Sequence, residues 1–181
     1  LPIYLSLLFC SRPRPGGFFF EICVLPLDDL DAEPRVLVAT DDVNWGAAPS
    51  PDGRYLAYSS NESGSYQIYL TDLPNAVSRW QVSVDGGHWP RWSADGSALY
   101  FAVGDGVYRS SFDADDGVRV GAPELLFEYT TVPWAPAWAS GFDVDASGER
   151  FLVVRNPRPE ETDATRVVVV ENWTAEFEAG R

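Results

Sequence analysis

Apolar residues in this chain come in short runs, each set off by Gly, Pro, Asp or Ser. Three of these units share one pattern: SPDGRYLAY at Ser50–Tyr58, SADGSALYF at Ser93–Phe101 and DASGERFLV at Asp145–Val153. Each reads as a tight turn feeding an apolar strand. The turn glycines, Gly53, Gly96 and Gly148, are 43 and 52 residues apart. The strands are continuous apolar runs (Leu99-Tyr100-Phe101, Phe151-Leu152-Val153-Val154) rather than strict alternations, so both faces are covered. Helical spacing is nearly absent, apart from one candidate turn at Ala175–Ala179.

The turn chemistry is specific. Ser50 can accept a hydrogen bond from the turn backbone, Pro51 presets φ, Asp52 suits the third position, and Gly53 supplies a left-handed conformation. The second copy keeps Ser93, Asp95 and Gly96. In the third, Asp145 opens the turn and Gly148 closes it.

Further strands fall into register. Third strands are expected at Phe18–Val24, Tyr66–Leu70, Val107–Arg109 and Val167–Val170, and outer strands at Arg35–Ala39, Trp80–Val84 and Leu125–Tyr129. A period near forty residues built from short strands predicts an all-β fold, a partial β-propeller of about three to four blades of antiparallel four-stranded sheet. The expected divisions are an incomplete first blade (1–40), a second (41–86), a third (87–131) and an incomplete terminal blade with its tail (132–181). No methionine is present, and the first blade opens on its second strand. The chain therefore reads as the C-terminal portion of a longer propeller. The edge of its incomplete first blade would invite self-association.

Composition narrows the partners. Twenty-seven acids against 13 bases give a net charge of −14, which opposes binding to nucleic acid or to anionic membranes. Leu1–Phe9 is too short to span a bilayer. It reads as a strand rather than the tail of a signal sequence, because Leu8-Phe9-Cys10-Ser11 aligns with Ala57-Tyr58-Ser59-Ser60. Cys10 and Cys23 lie nearly equidistant from the Pro15-Gly16-Gly17 turn. They read as two buried thiols, with a disulfide across the hairpin as the alternative in an oxidising compartment.

Candidate chemistry is sparse. Asp143, Asp145 and Ser147 with Gly148 resemble a calcium loop, but Val154 stands where a bidentate Glu belongs, and the third repeat's turn already accounts for these residues. Asp113–Gly117 reads as a solvated hairpin. His88 is the single histidine, and no G-x-S-x-G elbow, phosphate loop or kinase catalytic loop accompanies it. No cofactor is expected. Aligning the repeats places Trp45, His88 and Ser140 just before each blade's innermost strand, around one mouth of a central channel. Trp89, Trp134 and Trp138 lie close by in sequence. Such a rim suits peptide, glycan or protein recognition. The competing reading is that these tryptophans pack between blades.

Three segments carry a resemblance: GGHWPRWSADGSALYF (Gly86–Phe101), NWGAAPSPDGRYLAYSSNESGSYQIYL (Asn44–Leu70) and the closing VVVVENW (Val167–Trp173). They resemble the Pro-Asp-Gly class of WD-like bacterial propeller repeats, found in TolB-like propellers and at the C-terminal end of many bacterial Ser/Thr kinase-like proteins. The chain departs from the pattern at Pro49, which replaces the aromatic of Trp92, and in the third copy, which lacks Pro-Asp. The resemblance implies a non-catalytic, periplasmic or otherwise extracytoplasmic binding module. The sensor propeller of a kinase and the gating propeller of a prolyl-oligopeptidase-like peptidase are the alternatives.

Overall fold

Fifteen strands make up the described part of a computed structural model, which covers residues 7–13, 19–29, 31–129, 141–155 and 166–171. No helix occurs among these residues. In chain order the strands are β1 (Leu7–Pro13), β2 (Phe20–Pro26), β3 (Arg35–Val38), β4 (Asn44–Pro49), β5 (Tyr55–Ser60), β6 (Gln67–Asp72), β7 (Arg79–Gln81), β8 (His88–Trp92), β9 (Ala98–Val103), β10 (Gly106–Asp113), β11 (Arg119–Val120), β12 (Glu124–Glu128), β13 (Phe142–Val144), β14 (Arg150–Arg155) and β15 (Arg166–Glu171).

They form four antiparallel sheets: β1-β2-β3, β4-β5-β6-β7, β8-β9-β10 with β11 and β12 both on the far edge of β10, and β13-β14-β15. The strands of each sheet are consecutive in sequence, as in a blade. The fold is a partial β-propeller. The outer position of the third sheet is divided, because the Asp113–Gly117 hairpin pairs β11 with the end of β10 before β12 takes up its start. The sequence reading anticipated β12 but not β11. Asp113 closes that hairpin, accepting from the Asp115 amide at 2.9 Å and pairing with Arg119 at 2.7 Å.

The repeat turns are built alike. The Gly53 amide donates to the Ser50 carbonyl at 2.9 Å, Gly96 to Ser93 at 3.0 Å and Gly148 to Asp145 at 3.1 Å. Their φ values are 72°, 74° and 73°, a region open to Gly and costly to other residues. Ser50 Oγ accepts from the Tyr55 amide and donates to Asp52, while Ser93 Oγ accepts from the Ala98 amide and donates to Asp95. In the third copy the Asp145 carboxylate takes over the serine's role, accepting from the Arg150 amide.

The core lies between the sheets. On β5, Leu56 and Tyr58 turn to the first sheet, packing with Ile22 and Val38. Ala57 turns the other way, joining Leu70, Leu99 and Phe101 between the second and third sheets. Tyr100, Ala102 and Val107 then meet Phe142, Phe151 and Val153 of the fourth. Two-sided burial explains the unbroken apolar runs of β5 and β9, where nearly every position is buried. On β14, Phe151 and Val153 are buried but Leu152 is 43% exposed, which corrects the expectation that this run is covered on both faces. At roughly 1.5–3 kcal/mol for each large apolar side chain, these interlayers hold the blades together.

Cys10 and Cys23 are cross-strand partners in the β1–β2 register, with Cα atoms 5.2 Å apart, and form a disulfide. This corrects the expectation of free thiols. Equal distance from the turn placed the two residues directly opposite each other, within reach of a bond. Among the described residues β1 pairs only with β2. The strand reading of Phe9 and Cys10 holds, while the turn expected at Pro15-Gly16-Gly17 and the candidate helical turn at Ala175–Ala179 lie outside the described residues.

Candidate functional site

Trp45 and His88 occupy equivalent places, but within the innermost strands rather than before them. Trp45 on β4 faces Ser59, and His88 on β8 faces Ala102. Each strand breaks register directly afterwards, between Trp45 and Ala48 and between His88 and Arg91. The cause is a residue in the left-handed region: Gly46 at φ 65° in the second sheet and Trp89 at φ 58° in the third. An extra residue in that conformation makes a bulge, which re-aims side chains and often sits beside functional sites. Pattern reading continued the connection loop past these positions because the bulge interrupts strand alternation.

The bulges gather four aromatic rings. Trp45 stacks on Tyr66, with centroids 5.0 Å apart, and on Trp89 at 5.6 Å. His88 lies 4.9 Å from Tyr66 and 6.3 Å from Trp45. All four residues are half-buried. The Trp89 amide also donates to Ser59 Oγ across the blade boundary at 3.2 Å. Two polar atoms inside the cluster, Trp45 Nε1 and His88 Nδ1, are buried without a hydrogen-bond partner among the described residues. Burial lowers the His88 pKa below its ordinary value, so the ring is neutral at pH 7. The cluster thus holds an unpaired imidazole nitrogen and an unpaired indole N–H beneath the exposed parts of four half-buried rings.

Tyr66 was missed in the sequence. It precedes β6, in the hairpin after β5, which returns to the same end of the blade as Trp45. That shared end was the available signal. Trp134, Trp138 and Ser140 lie outside the described residues. Trp92 follows the packing alternative, since its Nε1 donates to the Ala48 carbonyl at 3.0 Å and its ring meets Phe112 edge-on.

The calcium alternative finds its oxygens already engaged. Asp145 Oδ1 accepts from the Ser147 amide and hydroxyl, and Oδ2 pairs with Arg150 at 2.8 Å. These bonds hold the Asp145 carboxyl well below the usual range. Asp143 pairs with Arg91 at 3.3 Å. No group of three or more metal-ligating side chains occurs among the described residues. Asp52, Asp95, Gly53, Gly96 and Gly148 all serve the turns.

No family model matches the sequence, and no curated protein matches it. Solved structures do. TolB from Acinetobacter baumannii superposes with TM-score 0.65 at 16% identity, over 92% of this chain and 38% of that one. A protein assigned as TolB from Agrobacterium tumefaciens gives 0.65 at 20% identity, over 93% and 58%. A puromycin-hydrolyzing peptidase from Mycobacterium tuberculosis gives 0.63 at 20% identity, over 93% and 28%. At these identities the likeness establishes a TolB-like propeller fold. The chain spans between 28% and 58% of the length of these three proteins.

Proposed function

We propose that this propeller is a non-catalytic binding module whose partner, a protein or peptide, is met at the aromatic mouth formed by Trp45, Tyr66, His88 and Trp89. The observation that carries this reading is Trp89 itself. A bulky residue held in the left-handed region costs roughly 1–2 kcal/mol, and glycine fills the equivalent place one blade earlier. Strain of this kind collects at functional sites. Here it keeps an indole stacked beside two unpartnered polar nitrogens. His88 supports recognition over acid–base chemistry, because its ring contacts are Trp45 and Tyr66.

An extracytoplasmic location follows from the same reading. The Cys10–Cys23 disulfide suits an oxidising compartment, and the repeat resemblance points the same way. The test is selection of a random phage-displayed peptide library on the immobilised chain, with selected peptides re-measured on Trp45→Ala and His88→Ala. Peptides that lose at least tenfold in affinity on both variants, at unchanged melting temperature, support the site. Peptides that bind the variants equally, or variants that simply unfold, assign the cluster to packing.

A further inference from the structure

One cross-strand pair breaks the repeat. At corresponding places on the second and third strands, the blades carry Leu8 opposite Leu25, Ala57 opposite Leu70, Tyr100 opposite Arg109, and Leu152 opposite Val169. Three pairs are apolar. Ala57 and Leu70 are fully buried against the next blade. Only the third blade places a cation there, on the face that meets the fourth. A local departure from an otherwise consistent pattern, with no gain in packing, is the mark of a functional position.

The surroundings of Arg109 add a second observation. Arg12, Arg54, Arg79, Arg91, Arg119 and Arg150 each pair with a carboxylate. The half-buried Arg109 guanidinium, like the exposed one of Arg35, has no hydrogen bond or ion pair among the described residues, although Glu124 lies opposite it on β12. It lines a groove of about 280 Å³ between the third and fourth blades, with Tyr100, Ser93, Ser97, Asp95 and Ser147. The groove sits beside the Ser93–Gly96 and Asp145–Gly148 turns, at the end of the blades away from the Trp45 cluster. Asp95 makes no ion pair with the guanidinium among the described residues; its Oδ1 accepts from Ser93 Oγ, the Ser97 amide and Ser97 Oγ within its own turn.

We propose that Arg109 and Tyr100 form a binding site for a carboxylate, carried by a small organic acid or by the C-terminus of a peptide. A free guanidinium presents two parallel donors that match the two oxygens of a carboxylate. The Tyr100 ring is packed edge-on against Phe151 in the core, and its hydroxyl supplies a further donor. Charge selects the monoanion. A single cation beside the acidic side chains of Asp95 and Glu124, in a chain of net charge −14, attracts one negative charge and repels a dianion more strongly.

The substitution that tests this is Arg109→Leu, which installs the residue that Leu70 supplies in the preceding blade and so should fold. The probes are acetate, N-acetyl-alanyl-alanine, its C-terminal amide and inorganic phosphate, titrated into the 181-residue chain and followed by amide chemical shifts. The acid peptide should bind at least tenfold more tightly than the amide. Arg109→Leu should abolish that preference at equal or higher melting temperature, and Arg109→Lys should keep part of it. Acetate binding as well as the acid peptide marks a small-acid site, and a preference for the peptide marks a C-terminus site. Three results would overturn the proposal: acid and amide binding alike, phosphate binding more tightly than either, or Arg109→Leu lowering the melting temperature by several degrees, which would make Arg109 structural.

Discussion

Replacing Ser93 with Ala isolates the turn that defines the repeat. Ser93 Oγ accepts from the Ala98 amide at 2.9 Å, and Ala98 is 1% exposed. Removing the hydroxyl leaves that N–H buried without a partner, a cost of about 1–3 kcal/mol. The lost bond to Asp95 adds little, because that carboxylate is solvated. For a chain of this size, about 2 kcal/mol corresponds to a fall in melting temperature of roughly 4–8 °C. Two companions sharpen the test. Ser97→Ala removes only an exposed hydroxyl and should stay within about 0.5 kcal/mol of the parent. Ser93→Asp combined with Asp95→Ser copies the third repeat, where Asp145 accepts from the Arg150 amide and from the Ser147 hydroxyl, and should recover part of the loss. Thermal unfolding at pH 7, followed by near-ultraviolet circular dichroism, reads all three. If Ser93→Ala matches the parent, or the Ser93→Asp, Asp95→Ser pair is as damaging as Ser93→Ala, the turn chemistry does not hold the blade.

Two further outcomes follow. His88 is buried beside Trp45 and Tyr66 with its pKa lowered. The unfolded chain therefore takes up the proton first, and stability drains away as pH falls below about 6.5 toward the lower folded value. Melting temperature should fall between pH 7 and 5 in the parent, and the slope in this window should flatten in His88→Asn; an unchanged slope would place His88 in solvent. Asp95, depressed to about 2 by its bonds to Ser93 and Ser97, loses its contribution only below about pH 4, as pH falls toward that value, outside the histidine window. Reduction of the Cys10–Cys23 bond, which spans 13 residues, should cost about 3 kcal/mol, seen as a lower melting temperature in reductant. No change on reduction would mean that β1 contributes nothing to the cooperative unit.

The blades were legible because their turns are written in full. Ser50-Pro51-Asp52-Gly53 and its copies dictate both the reversal and the register, and the apolar runs behind them reveal burial on two faces. The aromatic mouth was legible only in part. Repeat alignment paired Trp45 with His88, but the bulge that aims them depends on backbone conformation at Gly46 and Trp89, and nothing in the residue type of Trp89 announces a left-handed φ. Tyr66 came from a different strand and needed the topology. Arg109 was visible as an exception only once the hairpin lengths fixed which residues correspond, since the turn between β9 and β10 is shorter than the turn between β5 and β6. The disulfide turned on register alone, and register was known only to within the span of an unassigned turn.

Amide hydrogen exchange along the whole chain probes the blade arrangement most directly. Slowest exchange is expected in Tyr55–Ser60, Ala98–Val103 and the buried part of Arg150–Arg155, spaced as the repeats are, with faster exchange in the outer strands Arg79–Gln81 and Glu124–Glu128. Protection spread evenly along the chain, or concentrated in the outer strands, would contradict an architecture in which the second strands β5 and β9 are sandwiched between neighbouring sheets.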